Sequence, residues 1–104
     1  FYVKRLIEGC RSSREERFMD RLLLASLVET RGAERFKLVY ENINEADLKS
    51  FYHKLWASEA RHGEVFVRMC LNYFDEKSVY KRLAEMTDIE AKILDSLPIK
   101  AALH

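Results

Sequence analysis

Two long stretches of this 104-residue chain contain almost nothing that would break an α-helix, and this feature most constrains the fold. The first runs from residue 14 to about residue 42, and the second from about residue 45 to residue 74. Each has one internal glycine, Gly32 or Gly63, which costs a helix roughly 1 kcal/mol relative to alanine. Since the whole chain has only 3 Gly and 1 Pro, the sequence predicts an all-α fold.

Polar residues predict where the long helices begin. Ser13, followed three residues later by Glu16, fits a capping box, in which each side chain satisfies a free backbone N–H of the other. Asn44 with Asp47 is a second N-cap signal. The loop between the two helices is therefore short, and we expect them to form a helical hairpin of antiparallel neighbours.

A third helix and a short N-terminal helical segment complete the predicted chain. Asp75 is expected to open the third helix, which runs to about Leu97, where Pro98 stops it. The first dozen residues are expected to add one or two helical turns. The length supports a single domain over residues 1–104. The chain begins with Phe1 instead of methionine, which suggests that a segment precedes it.

Charge and cysteine content favour a reduced, soluble chain. Lys and Arg total 18 and Asp and Glu 17, so the formal charge of +1 gives no overall attraction to nucleic acid or membranes. Cys10 and Cys70 form neither a Cys-x-x-Cys pair nor a disulfide framework. The longest apolar run, residues 22–28, is far too short to span a bilayer. We expect a cytoplasmic protein with no membrane partner.

Three ionisable residues interrupt the apolar faces of the two long helices. Glu29 lies in the middle of the first face, and Glu59 and His62 lie in the middle of the second. Glu29 and Glu59 are each 15 residues from Asn44, which places both roughly 22 Å from the loop at 1.5 Å per residue. The three side chains are therefore predicted to lie at one level, well inside a helical bundle.

This arrangement suggests a metal site. A buried carboxylate without a partner is costly, and no Lys or Arg lies on either face near that level. Glu-x-x-His on a helix directs an oxygen and an imidazole nitrogen towards one point. Two such pairs, with one Glu from each of two other helices, form the ligand set of di-iron carboxylate bundles. Glu29, Glu59 and His62 are half of that set; alternatively, His62 is a core histidine bonded to Glu29 or Glu59.

The sequence gives weaker indications of a function for the other charged residues. Glu90 falls on the apolar face of the third helix, where it is either an outer-shell partner of the metal site or a helix-end glutamate paired with a lysine. Glu34 is expected to pair with a neighbouring basic residue. Five arginines concentrate near the N-terminus and could meet phosphates, although interleaved acidic residues favour a solvated helix face. These are Arg5, Arg11, Arg14, Arg17 and Arg21.

Four strings of residues resemble the bacterial tRNA hydroxylases that act on 2-methylthio-N6-isopentenyl-adenosine. They are Met-Asp-Arg-Leu-Leu at 19–23, Val-Glu-Thr-Arg at 28–31, Glu-Arg-Phe at 34–36 and Ser-Glu-Ala-Arg-His at 58–62. The resemblance covers almost the whole chain. It implies a ferritin-like four-helix bundle with a non-haem di-iron centre. It also implies the use of dioxygen to hydroxylate the isopentenyl group of the adenosine next to the anticodon.

The resemblance gives Glu29, Glu59 and His62 the ligand roles of the third and fourth bundle helices, with Arg31 and Arg61 as weaker candidates for holding tRNA. The family's first two bundle helices have no counterpart here, and Thr-Arg-Gly-Ala at 30–33 differs from the usual Ala-Arg-Ser-Cys. The leading interpretation is the C-terminal half of such an enzyme, completed by a missing helical hairpin. A self-complementing homodimer and a metal-free helical interaction module are the alternatives. The electron donor is not indicated.

Overall fold

The computed structural model describes residues 2–96, which form four α-helices: α1 (Tyr2–Glu8), α2 (Arg14–Asn42), α3 (Ala46–Leu71) and α4 (Glu76–Ser96). No strand occurs between residues 2 and 96. The predicted all-α fold is confirmed, with a hairpin of two long helices, a third helix and a short N-terminal helix. The predicted stop at Leu97 and Pro98 lies outside the described residues.

Helices α2 and α3 approach each other closely at Gly63. The hydroxyl of Ser26 on α2 donates a hydrogen bond of 2.9 Å to the carbonyl oxygen of Gly63 on α3. A Cβ atom at position 63 would lie 3.0 Å from the Thr30 hydroxyl oxygen and 3.4 Å from the Ser26 carbonyl oxygen. The glycine therefore allows a close approach of the two helices that a larger residue would oppose.

The start of α2 agrees with the prediction, but its cap does not. The helix begins at Arg14 after Ser13, as expected, yet the Ser13 side chain makes no hydrogen bond to a backbone N–H. Its hydroxyl donates instead to the Glu16 carboxylate at 2.6 Å, and Arg11 binds the same carboxylate at 2.9 Å. The predicted reciprocal capping box is therefore wrong, because Glu16 is bound by these two side chains.

The caps of α3 and α4 also use carboxylates. Glu45, and not Asn44, is the N-cap of α3, and its side chain accepts from the N–H groups of Asp47 and Leu48 at 3.2 and 3.0 Å. A charged acceptor suits the positive end of the helix dipole. Asp75 precedes α4 as predicted and accepts from the Ser78 N–H at 2.9 Å. Helix α3 ends at Leu71, three residues earlier than expected.

Helix α4 packs on one side of α2 only. Arg82 of α4 binds Asp20 of α2 at 2.9 Å, and Glu90 of α4 binds Arg31 of α2 at 2.8 Å. At 100° per residue, Asp20 and Arg31 lie on the same side of α2, and Glu29 lies about 160–180° away from them. The face that carries Glu29 is therefore left open by α4.

The hydrophobic core lies between α1, α4, the N-terminal half of α2 and the C-terminal end of α3. In the rest of the hairpin, beyond Ala33 on α2 and before Gly63 on α3, the described structure has no buried residue. Several large apolar side chains of the hairpin are exposed, which marks a surface that further helices could cover. The core residues are Leu6, Met19, Leu22, Leu23, Leu24, Leu27, Cys70, Val79, Met86 and Ile93.

A buried ionic cluster joins the α1–α2 linker to α4. The Asp20 carboxylate has no exposed surface. It accepts hydrogen bonds from the Arg11 backbone N–H and side chain, both at 2.8 Å, and from Arg82. Arg82 also donates to the carbonyl oxygen of Gly9. Burial alone would raise the pKa of Asp20, but the hydrogen bonds from Arg82 and Arg11 outweigh it and hold this pKa below its usual value.

Residues 2–96 also bear on the predictions about the cysteines and about membrane-spanning segments. Cys10 and Cys70 are both free thiols, in agreement with the absence of a disulfide framework in the sequence. Within the described range, no helix combines the length and the apolar character needed to cross a bilayer.

Candidate metal centre

The structure brings the side chains of Glu29, Glu59 and His62 together on the hairpin. One potential ligand atom from each lies within 4.8 Å of the other two. Nδ1 of His62 is 3.9 Å from Oε2 of Glu29 and 3.7 Å from Oε1 of Glu59. Both distances exceed hydrogen-bond length, so the three groups surround a common point without His62 being bonded to either carboxylate.

The register of the two helices positions these groups. Glu59 and His62 are one turn apart on α3, and Glu29 faces them from α2 at the level that the sequence predicts. A Cβ atom at Gly32 would lie 3.4 Å from Oε2 of Glu59. The sequence pattern indicates Gly32 only as a tolerated helix interruption. In the structure it borders the Glu59 carboxylate at a distance of ordinary van der Waals contact, and its place one turn after Glu29 is the signal that could have indicated this.

The centre is more open than the sequence predicts. The side chains of Glu29 and Glu59 are 29% and 28% exposed, and that of His62 is 54% exposed. The expectation that these groups lie well inside a bundle is therefore not met by this chain's own helices. The physical reason is that α1 and α4 pack on the opposite side of α2, so the face with the three groups has no covering helix among the described residues.

The electrostatics of the cluster favour a cation. The pKa of Glu29 is raised by its interaction with the Glu59 carboxyl group, by burial and by the negative charge of Glu59, while His62 acts in the opposite direction. Two adjacent carboxylates repel each other, and a metal ion between them would remove that repulsion. Carboxylate oxygens with an imidazole nitrogen are also a donor set that suits non-haem iron.

Glu90 lies on the far side of α2 from this cluster. Its carboxylate is 1% exposed, binds Arg31 at 2.8 Å and accepts a hydrogen bond from the Tyr2 hydroxyl. Burial and the hydrogen bond to Glu90 raise the pKa of Tyr2. Arg31 also binds Glu34 at 2.6 Å, which confirms the basic partner expected for Glu34. Glu90 thus pairs with an arginine and not a lysine, and its outer-shell role stays a prediction.

The two arginines proposed to hold tRNA differ in their surroundings. Arg31 is occupied by two carboxylates, and the hydrogen bond to Glu90 raises its pKa further. Arg61 is exposed, and the structure gives it no ion pair with any residue in the range 2–96. Of the two, Arg61 has the freer guanidinium for an RNA phosphate.

An α-helical hairpin with two glutamates and a histidine at one level of its open face has the architecture of part of a ferritin-like bundle. The whole chain, residues 1–104, matches the family model described as tRNA-(MS[2]IO[6]A)-hydroxylase (MiaE). The chain therefore belongs to the MiaE family, as its sequence resemblance indicates.

Two curated relatives are similar to this chain. One is the tRNA 2-(methylsulfanyl)-N(6)-isopentenyladenosine(37) hydroxylase of Pseudomonas putida, 29% identical over 103 residues, which cover 99% of this chain and 50% of the relative. The enzyme of the same name from Salmonella typhimurium is 26% identical over 93 residues, which cover 89% of this chain and 34% of the relative. The chain thus spans half or less of the length of these relatives.

Proposed function

We propose that this chain supplies half of the iron site of a tRNA hydroxylase, with Glu29, Glu59 and His62 as ligands. The observation that carries the proposal is the convergence of these three side chains within 4.8 Å in a chain that matches the MiaE family throughout. The proposed reaction is the dioxygen-dependent hydroxylation of the isopentenyl group of 2-methylthio-N6-isopentenyl-adenosine in tRNA. A tRNA substrate also implies the cytoplasm as the compartment.

Each residue has a distinct task in this proposal. Bound iron would supply the oxygen activation that hydroxylation of an unactivated carbon requires. The carboxylates of Glu29 and Glu59 and the imidazole of His62 would hold the iron, since carboxylate oxygens tolerate changes in the charge of the metal and an imidazole nitrogen is a common ligand of iron. The ion pair between Arg31 and Glu90 fixes α2 against α4 and so holds the backbone that carries Glu29.

The open face requires a second half-site. Exposed apolar side chains flank the three ligands on the hairpin, among them Val65 and Met69, which are 45% and 40% exposed. We propose that a helical hairpin with another Glu and another Glu-x-x-His covers this face, since the Pseudomonas putida relative is about twice as long as the matched region. A second copy of this chain, related by a two-fold axis, is the other arrangement that could complete the ligand set.

The nucleosides of cellular tRNA test this function. This chain is expressed together with the helical hairpin that completes its site, in a bacterial strain that makes 2-methylthio-N6-isopentenyl-adenosine but cannot hydroxylate it. We expect the hydroxylated nucleoside to appear, with its new oxygen derived from ¹⁸O₂, as measured by mass spectrometry of digested tRNA. The Glu59→Ala variant should yield none. An unchanged nucleoside profile with the folded protein present would contradict the proposed reaction.

A further inference from the structure

The same hairpin also carries a cavity whose lining is basic and aromatic, unlike the acidic candidate metal centre. It encloses about 650 Å³ between the first two turns of α2 and the segment that follows α3. Three arginines and three aromatic rings form most of its wall. The lining residues are Arg14, Glu15, Arg17, Phe18, Arg21, Tyr73 and Phe74.

The three arginines of this cavity carry charge that the described structure does not neutralise. Arg14, Arg17 and Arg21 are exposed and lie on successive turns of α2, and none of them forms an ion pair with another residue in the range 2–96. Two of the acidic residues that alternate with them in sequence are bound by other arginines: Asp20 by Arg11 and Arg82, and Glu16 by Arg11. Glu15 lies in the cavity wall beside the three arginines, so three positive charges and one negative charge line the cavity. The arginine face is solvated, as the sequence favours, but its positive charge is not balanced.

The aromatic rings of the cavity are unusually open to solvent. Tyr73 is 67% exposed and Phe18 is 43% exposed. Their ring centroids are 5.2 Å apart in an edge-to-face arrangement, and Phe74 packs against Phe18 at 6.0 Å. Exposed rings beside unpaired guanidinium groups are the combination that binds single-stranded nucleic acid, with phosphates on the arginines and bases stacked on the rings.

The cavity and the metal centre share one face of α2. Phe18 and Glu29 are 11 residues apart, which corresponds to about 16 Å along the helix and about 20° around it. An RNA strand held at the cavity can therefore extend along α2 towards the three candidate ligands. A duplex buries its bases, so the exposed rings fit a splayed loop and not a paired stem.

We propose that this cavity binds unpaired loop nucleotides that flank the adenosine to be modified, with Arg14, Arg17 and Arg21 on phosphates and Tyr73 and Phe18 against bases. The inference rests on the proposed function, because it takes tRNA as the substrate. An acidic peptide would meet the same arginines but would not require the exposed aromatic rings.

RNA binding by the purified chain tests this site. Fluorescence anisotropy would compare an anticodon stem–loop, which presents unpaired bases, with a fully paired RNA of equal length at several salt concentrations. We expect the triple variant Arg14→Ala, Arg17→Ala, Arg21→Ala to bind the stem–loop at least about tenfold more weakly. The slope of log K against log salt should become shallower by about 2, since each single-strand phosphate contact contributes about 0.7. Tyr73→Ala should weaken binding about tenfold, and Tyr73→Phe should not.

A matched control removes the same charge elsewhere. Lys49→Ala, Lys54→Ala, Lys92→Ala changes three exposed lysines outside the cavity and should alter stem–loop affinity less than about twofold. The proposal would be overturned if both triple variants lost the same stem–loop affinity. It would also be overturned if the wild-type chain bound paired RNA as tightly as the stem–loop, or did not bind the stem–loop at all. Iron binding, measured on the same proteins, should be unchanged in all these variants, so loss of the RNA site is distinguishable from failure of the metal site.

Discussion

Replacing Glu59 with alanine is expected to weaken ferrous iron binding by more than about 100-fold, because loss of a ligand should exceed the 10- to 100-fold effect of losing an outer-shell partner. The fold should survive, since the Glu59 side chain is 28% exposed and lies on the open face of the hairpin. Its removal also takes away the hydrogen bond and then the negative charge by which Glu59 raises the pKa of Glu29. Anaerobic calorimetric titration with Fe²⁺ measures the affinity, and thermal unfolding checks the fold.

The control for this experiment is Glu64→Ala on the same helix. Glu64 is exposed and binds Arg68 at 3.1 Å, so its removal changes the net charge equally without touching the candidate ligands. Its iron affinity should equal that of the wild-type chain. If Glu59→Ala retains wild-type iron affinity, or if Glu64→Ala loses as much, the assignment of Glu59 as a ligand is wrong.

Replacing Asp20 with alanine is expected to lower the free energy of unfolding by about 3–5 kcal/mol, the usual cost of breaking a buried ion pair from one side. Asp20 has no exposed surface and Arg82 is 13% exposed, so the variant leaves a largely buried guanidinium without its carboxylate. It also removes the acceptor that holds the backbone of Arg11 in the α1–α2 linker. Urea unfolding followed by circular dichroism measures the loss.

The pH dependence of unfolding gives a second readout for Asp20. Its pKa is lowered in the folded state, so its contribution to stability is present above the unfolded-state pKa of about 4 and is lost as the pH falls through the folded-state value. The wild-type chain should therefore lose more stability below about pH 4 than the Asp20→Ala variant does. Asp88→Ala, an exposed change on α4, should cost less than about 0.5 kcal/mol. A loss below about 1 kcal/mol for Asp20→Ala would contradict the role of the cluster.

The helical hairpin could be predicted because its signals are local. Long stretches without breakers define α2 and α3, and the short connection fixes their antiparallel register. The same register predicted that Glu29 and Glu59 lie at equal distances from the loop between the helices. The cap of α3 was misassigned by one residue because Asn44 and Glu45 are adjacent polar residues, and the choice depends on which side chain reaches two backbone N–H groups.

The surroundings of the site could not be predicted in the same way. The partner of Glu90 is 59 residues away in the sequence, and no periodic pattern indicates that Arg31 would turn towards α4. The exposure of His62 depends on which side of α2 is covered by α4, which is a property of tertiary packing. The unpaired charge of Arg17 could not be predicted for the same reason, since two acidic residues beside it, Glu16 and Asp20, pair with arginines from the linker and from α4.

The iron content per chain, measured together with the mass in solution, tests the central claim most directly. The purified chain is loaded anaerobically with Fe²⁺, freed of excess metal and examined by elemental analysis and analytical ultracentrifugation. A dimer of this chain that shares one di-iron site has about one iron per chain, and a complex of one chain with a complementary hairpin has about two. Iron at the ratio that matches the assembly is the expected result, and it should be lost in Glu59→Ala. A metal-free monomer after loading would contradict the claim and leave a helical interaction module as the better description of this chain.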